Sequence, residues 1–254
     1  GMVGAAAGDP GVSGAPGRRG VEPASADSAT SSSAVVVVST RAFISSALVG
    51  SSSTYSTRPL RAGRGCAGGG GTTCRRVLHP HPQAGGTMNN AINLALYQMF
   101  VKRGFATLRF NFRGVGRSQG TFDNGIGELS DAAAALDWVQ SFHPEASTTW
   151  IAGVSFGAWI GMQLLMRRPE IEGFMSIAPQ PNTYDFSFLA PCPSSGLIVH
   201  GNKDELVPES SVRKLVDKLN TQKGVKIDYR VMEGAGHVFT PDQTEKVCDA
   251  TEDH

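Results

Sequence analysis

Short runs of β-branched and aromatic residues alternate along this chain with longer stretches that are rich in helix-forming residues. The short runs are typical of buried β-strands, and the longer stretches are typical of helices. The predicted strands are residues 105–112, 148–152, 173–178, 196–200 and 225–232, and the predicted helices are residues 126–141, 156–168 and 209–222. Strands and helices that alternate in this order predict an α/β domain with a mostly parallel sheet flanked by helices.

The first 76 residues differ in composition from the rest of the 254-residue chain. Glycine, alanine and serine dominate this segment, which has three acidic residues and eight basic ones, all of them arginine. It has too little hydrophobic periodicity to build a core, so residues 1–76 are predicted to be disordered or wrongly framed. The apolar stretch at residues 34–49 contains Arg41 and is too short for a membrane span. We therefore expect one compact α/β domain at residues 77–254.

The residues just before this domain are unusual for a parallel sheet. A central parallel strand is buried on both faces and is nearly continuous in Val, Ile and Leu, whereas residues 71–78 include Arg75 and Arg76. Adjacent arginines would point to opposite faces, and burying an unpaired charge costs several kcal/mol. The sequence thus predicts that the first strands of the sheet are missing or replaced. An organelle transit peptide is one explanation, because residues 28–122 contain no acidic residue; we favour the other, a gene-model error.

Residues 153–157 have the sequence G-V-S-F-G, which is the G-x-S-x-G pattern of a nucleophile elbow. They lie between a predicted strand and a predicted helix, and this is the context that such an elbow requires. Side chains at Gly153 and Gly157 would collide with the neighbouring strand and helix in so tight a turn. The turn would direct the Ser155 hydroxyl and the first amides of the helix to one point, where they favour developing negative charge. Ser155 is therefore the candidate nucleophile.

A serine hydroxyl is a poor nucleophile unless a base and a group that orients the base lie nearby. Asp204 follows the predicted strand 196–200, and His237 lies on a glycine-rich loop after the predicted strand 225–232. The three residues are separated by about one strand–helix–strand unit each, which brings their loops to one edge of a parallel sheet. Glu205, beside Asp204, is an alternative carboxylate.

Four motifs make the chain similar to the α/β-hydrolase family, in particular to small bacterial members without a lid, the dienelactone-hydrolase-like and acyl-peptidase-like serine hydrolases. These motifs are residues 78–87, with the sequence L-H-P-H-P-Q-A-G-G-T, residues 112–118, with the sequence F-R-G-V-G-R-S, the elbow, and the loops of Asp204 and His237. The resemblance implies an α/β-hydrolase fold in which Ser155 is the nucleophile, His237 the general base and then acid, and Asp204 the residue that orients it. Residues 240–254 would form a short closing helix.

The resemblance also implies that an oxyanion donor comes from the loop after an early strand, here residues 79–83. The two prolines of this loop have no N–H, which leaves the amides of His79, His81 and Gln83. By position we select His81, paired with the amide of Phe156, which follows the nucleophile.

Two other ligand-binding interpretations compete with this one. His79 and His81 form an H-x-H pair, but a metal site of that kind needs further ligands, so no metal is expected. Residues 114–120 miss the dinucleotide pattern G-x-G-x-x-G by one position and do not open directly into a helix, so no cofactor is expected.

The expected reaction is cleavage of a small-molecule ester or thioester by two-step acyl transfer. The short linker at residues 179–195 leaves no room for a large cap, so the site should be open. The predicted substrate contacts are Gln83, Trp159, Tyr184 and Phe186. The alternatives are a peptidase of the acyl-peptidase type and a catalytically silent binding or structural protein with an unassembled oxyanion hole. An enzyme whose activity is impaired by the atypical N-terminus is a further alternative.

The charge and the cysteine content limit which partners and which cellular location are expected. Residues 77–254 contain 15 basic and 19 acidic residues without a basic stripe, which argues against nucleic acid as a partner. The four cysteines show no metal-binding spacing, so we expect a cytoplasmic protein, with organelle targeting as the alternative. No membrane partner is expected, and the sequence leaves the oligomeric state open.

Overall fold

The hydrophobic runs of the sequence form one sheet in this computed structural model, which describes residues 73–144, 146 and 148–254 together with the strands at 35–39 and 44–48. The strands are β1 (Val35–Ser39), β2 (Ile44–Leu48), β3 (Thr73–Leu78), β4 (Ala106–Phe110), β5 (Thr148–Val154), β6 (Ile171–Ile177), β7 (Gly196–Gly201) and β8 (Ile227–Met232). The helices are α1 (Ala91–Lys102), α2 (Ile126–Phe142), α3 (Phe156–Leu165), α4 (Glu209–Asn220) and α5 (Pro241–Glu252), and Pro82–Ala84 form a short 3-10 helix.

Within the described residues the strand order is β2-β1-β4-β3-β5-β6-β7-β8. Strands β3 to β8 are parallel, whereas β1 pairs antiparallel with both β2 and β4. The predicted α/β class with a mostly parallel sheet is therefore confirmed. The proposed disorder or wrong frame of residues 1–76 falls outside the described residues, except at β1, β2 and the first residues of β3.

Helices cover both faces of the sheet. Helices α2, α3 and α4 pack on one face, and α1 and α5 pack on the other. Helix α4 shows how the sequence determines this, because its buried residues recur at helical spacing: Val212, Leu215, Val216 and Leu219. No helix in the described part of the chain is both long and apolar enough to cross a membrane.

Strand β3 lies in the middle of the sheet, between β4 and β5. The sequence argument against a strand at residues 71–78 is therefore wrong: β3 forms although it contains both arginines. The Arg75 guanidinium lies over the rings of Phe105 and Trp150, at 4.6 and 4.4 Å from their centroids. Arg76 points to the opposite face and is 1% exposed, with one guanidinium nitrogen 3.5 Å from the carbonyl oxygen of Leu136. Burial lowers the pKa of each arginine to about 10.

Candidate active site

The carboxyl ends of β5, β7 and β8 bring three sequence-predicted residues together. The Ser155 Oγ lies 2.9 Å from Nε2 of His237, and Nδ1 of His237 lies 2.7 Å from Oδ2 of Asp204. Because a carboxylate only accepts hydrogen bonds, His237 Nδ1 carries a proton and donates to Asp204. In the neutral ring, Nε2 is therefore the acceptor that faces the Ser155 hydroxyl.

The turn at Ser155 has a backbone conformation that few residues adopt. Ser155 has φ 57° and ψ −114°, and its amide donates to the carbonyl oxygen of Ile177 at 2.8 Å. A Cβ on Gly153 would lie 2.3 Å from the carbonyl oxygen of Gly157, and a Cβ on Gly157 would lie 2.6 Å from the carbonyl oxygens of Leu78 and His79. These close approaches explain both glycines of the motif and place the start of α3 against the end of β3.

Asp204 is held by the turn that follows β7. Its Oδ1 accepts hydrogen bonds from the amides of Leu206 and Val207, both at 2.9 Å, which leaves Oδ2 for His237. His200 lies behind this turn, where its Nε2 donates to the carbonyl oxygen of Val207 at 3.0 Å. Burial lowers the pKa of His200, so its ring stays neutral beside Asp204. Glu205, the alternative carboxylate, is exposed.

The loop after β3 reaches the same edge of the sheet. The amide of Gln83 donates to Nδ1 of His81 at 3.1 Å and so is already occupied as a donor. The ring of His81 packs against the Phe156 ring, with centroids 5.0 Å apart, and places this loop beside the first turn of α3. The amide of Phe156 is one of the first in α3 and has no acceptor within the helix. The two residues selected as oxyanion donors are thus neighbours.

His79 connects this loop to the loop after β4. Its Nδ1 donates to the carbonyl oxygen of Pro80 at 2.7 Å, and its Nε2 accepts from the amide of Phe112 at 3.0 Å. The side chain is fully buried, and burial lowers its pKa to about 4. Both ring nitrogens are occupied, which argues against the H-x-H metal interpretation. No group of three or more His, Cys, Asp or Glu residues in the described ranges is arranged to hold a metal ion.

Comparisons with known proteins show the family of this chain. The family model of the X-Pro dipeptidyl-peptidases (S15 family) matches residues 50–189, and that of the prolyl oligopeptidase family matches residues 172–253. An uncharacterized protein of Rickettsia prowazekii (strain Madrid E) is 52% identical over 182 residues, which cover 70% of this chain and 76% of that protein.

Two solved structures are similar to this chain in both sequence and fold. A crystal structure from Agrobacterium tumefaciens, assigned to the α/β hydrolases, is 65% identical with a TM-score of 0.70, over 72% of this chain and 83% of that one. A Xanthomonas campestris α/β serine hydrolase without a lid is 30% identical with a TM-score of 0.65, over 72% of this chain and 80% of that one. This chain belongs to the α/β-hydrolase family.

In this α/β hydrolase a cavity of about 580 Å³ opens at Ser155 and His237. Two of the predicted substrate contacts, Gln83 and Tyr184, line it. Trp159 is not among the lining residues but stacks on the ring of Tyr184, with ring centroids 4.6 Å apart and an interplanar angle of 14°. Phe186 is 6% exposed, belongs to the hydrophobic core and is not among the residues that line the cavity.

Sequence reasoning missed several residues of this site. Gln180 lines the cavity and lies 3.5 Å from Nε2 of His237 through its side-chain nitrogen. Leu206 and Val238 also line the cavity, although they are 62% and 84% exposed, and so form an apolar rim. Each of these residues lies one or two positions after a predicted element or a predicted catalytic residue, but a single sequence contains no signal that distinguishes them from ordinary loop residues.

Proposed function

We propose that this hydrolase cleaves small ester or thioester bonds by two-step acyl transfer, with Ser155, Asp204 and His237 as the catalytic triad. The observation that carries the proposal is the pair of contacts at His237, 2.9 Å to Ser155 Oγ and 2.7 Å to Asp204 Oδ2. One ring nitrogen is fixed as a donor to the carboxylate, which leaves the other free to take the serine proton.

In the first step, Ser155 Oγ attacks the substrate carbonyl carbon while its proton passes to His237 Nε2. The carbonyl oxygen becomes an oxyanion, for which the amides of Phe156 and His81 are the proposed donors. When the tetrahedral intermediate collapses, the bond to the leaving group breaks, and the proton on Nε2 passes to the leaving group. The acyl group stays on Ser155 as an ester.

In the second step, water replaces the leaving group beside His237. Nε2 takes a proton from this water as its oxygen attacks the acyl carbon, and the same proton then returns to Ser155 Oγ. The carboxylic acid is released, and the starting protonation states are restored. Neither step needs a metal or a cofactor.

The residues that line the cavity favour an uncharged substrate. No Asp, Glu, Lys or Arg side chain is among its described lining residues, which include the apolar Ile92, Val154, Leu206 and Val238. Charged groups in a substrate would lose water without gaining a partner here. Apolar walls with a few polar groups are typical of small-molecule sites.

A peptidase of the acyl-peptidase type is the second candidate, since the two matching family models are named for peptidases. Enzymes that bind a free peptide amino terminus need a carboxylate or another acceptor cluster for its ammonium group. The described lining offers no carboxylate, so a blocked or neutral substrate is favoured.

The first experiment is labelling of the full-length protein with a fluorophosphonate probe, followed by peptide mapping. We expect covalent label on Ser155, none after Ser155→Ala, and normal label after Ser130→Ala, since Ser130 is exposed on α2. Absence of label on folded wild-type protein would favour the catalytically silent alternative. A panel of acyl esters, thioesters and blocked peptide amides would then separate the esterase from the peptidase.

A second pair of variants tests the role of Asp204. Asp204→Asn should lower kcat by about ten-thousandfold, because an amide in place of the carboxylate no longer fixes the required His237 tautomer. Glu205→Gln is the matched control and should leave kcat within about twofold, since Glu205 is exposed. Similar losses in the two variants would contradict the proposed triad.

A further inference from the structure

Gln180 is the side chain that the acyl-transfer scheme leaves unused although it faces the catalytic histidine. It follows β6 on a backbone that is fixed from both sides. The amide of Ala178 donates to the carbonyl oxygen of Val199 at 2.8 Å, and the carbonyl oxygen of Gln180 accepts from the amides of Thr183 and Tyr184 at 3.0 and 2.9 Å. The half-buried side chain is therefore presented to the cavity from a well-anchored turn.

The protonation state of His237 determines which end of the Gln180 amide faces it. His237 Nδ1 donates to Asp204, so Nε2 is the acceptor, and the Gln180 group at 3.5 Å must be the donating nitrogen. Ser155 Oγ holds the same acceptor at the shorter distance of 2.9 Å. The Gln180 N–H thus lies at the edge of hydrogen-bond range and is available to another acceptor that enters beside Nε2.

The position beside Nε2 is where the leaving group takes its proton. Water enters at the same position in the second step, because the nucleophile that attacks the acyl-enzyme replaces the group that left. We propose that Gln180 forms the leaving-group subsite of this hydrolase and selects oxygen leaving groups by donating a hydrogen bond to them. This inference rests on the proposed acyl-transfer function and names the substrate class more narrowly.

The selection follows from the number of lone pairs on the leaving atom. An ester oxygen has two: one takes the proton from His237 Nε2 as the C–O bond breaks, and the other accepts the N–H of Gln180. The C–O bonding pair stays on the departing alcohol, so charge and protons balance. An amide nitrogen in the tetrahedral intermediate has one lone pair, which takes the His237 proton and leaves none for Gln180. Sulfur is a weak acceptor, so a thioester gains little.

The experiment compares an oxygen and a sulfur ester with the same acyl group, ethyl butyrate and S-ethyl thiobutyrate, on the wild type and on Gln180→Met. Methionine keeps the length of the side chain but removes the donor. We expect kcat/KM for the oxygen ester to fall about tenfold, the value of one hydrogen bond of about 1.4 kcal/mol, and that for the thioester to change less than about twofold.

A structural role for Gln180 predicts a different result. If Gln180 only supported His237, both substrates would lose activity to the same extent, and that outcome would overturn the inference about Gln180 alone. Thioester activity that is retained in Gln180→Met shows that the variant is folded. Gln98→Met, at an exposed position of α1, is the control for replacing a glutamine by methionine elsewhere in the protein. Wild-type protein that hydrolyses neither ester in a Ser155-dependent way would overturn the proposed function and this inference with it.

Discussion

Two loops meet at the proposed active site of this α/β hydrolase, and they are held in place by different means. The elbow around Ser155 is fixed by its own backbone, since a Cβ at position 157 would lie 2.6 Å from the carbonyl oxygens of Leu78 and His79, and Ser155 has a positive φ. The loop after β3 is fixed by a side chain, because the buried His79 ring bonds to the carbonyl oxygen of Pro80 and to the amide of Phe112. The elbow therefore needs the absence of side chains at its glycines, whereas the loop after β3 needs the side chain of His79.

Among changes to these two loops, the largest effect should come from adding a single methyl group at the elbow. Gly157→Ala would place a Cβ 2.6 Å from the carbonyl oxygens of Leu78 and His79, which are backbone atoms that cannot turn away. The β3 loop and the first turn of α3 would separate, and loss of one oxyanion donor lowers kcat by about a hundredfold or more. Ester hydrolysis and fluorophosphonate labelling rates measure this loss.

Gly161→Ala is the matched control, four residues later in the same helix. Its Cβ would meet Ile151 side-chain atoms at 3.4 and 3.5 Å, which is close to ordinary contact, and alanine favours a helix by about 1 kcal/mol over glycine. Equal activity in the two variants would mean that close backbone approach does not hold the elbow.

The side chain of His79 should produce a pH-dependent effect on stability. Burial lowers its pKa from about 6.5 to about 4, so between these values the unfolded chain binds a proton that the folded chain does not. The free energy of unfolding should therefore fall as pH falls from about 6.5 to about 4, with His79 contributing about 3 kcal/mol over the whole window.

The variant His79→Gln isolates this contribution. At pH 7 it should be less stable than the wild type by about 1–2 kcal/mol, because the amide of Phe112 or the carbonyl oxygen of Pro80 loses its partner. The difference should shrink as pH falls and reverse its sign towards pH 4, since the wild type loses about 3 kcal/mol over this window and glutamine does not titrate, whereas the buried His200 keeps the same contribution in both proteins. Urea unfolding at several pH values measures it, and a constant difference would show that His79 does not titrate as the structure indicates.

The smallest predicted effect is a change in stability caused by a substitution in β3, the strand that precedes the His79 loop. Arg76 in β3 is 1% exposed, and its Nε and one terminal nitrogen have no hydrogen-bond partner among the described residues. Arg76→Met should raise the free energy of unfolding by about 1–2 kcal/mol, because a buried charge without close pairing is replaced by apolar volume. Thermal and urea unfolding measure the change.

Arg113 provides the contrast, because its guanidinium forms two hydrogen bonds with Asp131, at 3.1 and 2.9 Å. Arg113→Met should lower stability, since the buried Asp131 carboxylate loses its charged partner and keeps only the hydrogen bond from the amide of residue 113. If Arg76→Met also lowered the free energy of unfolding, the Arg76 guanidinium would make a net stabilising interaction in the folded protein. A particular side chain would then stabilise β3, as His79 stabilises the loop that follows it.

The sequence predicted the elements that carry the elbow and the two other loops. Residues 148–152 and 156–168 were identified as strand and helix, and the structure has β5 at Thr148–Val154 and α3 at Phe156–Leu165. These segments are apolar and have clear boundaries, so local propensity and tertiary packing agree. Ser155, Asp204 and His237 could be selected because each follows a predicted strand, and parallel strands bring such positions to one edge of the sheet.

The same reasoning failed at β3. Two adjacent arginines argued against a buried strand, but the aromatic rings that cover Arg75 come from residues 105 and 150, far away in the sequence. The chain offers no local sign of this compensation, because cation–π contacts depend on positions brought together by folding. The place of Gln180 beside His237 and the role of the buried His79 ring escaped prediction because their partners are also distant in the sequence.

The sequence by itself determined where a strained serine turn would occur, because only glycine permits the close backbone approaches on either side of Ser155. It also determined the order and spacing of strands and helices, since hydrophobic periodicity is a local property. Only the tertiary structure decided which side chains hold the β3 loop and which amide faces His237. Hydrogen bonds and ring contacts of this kind join residues that are distant in the sequence, and their partners are defined only when the sheet has formed.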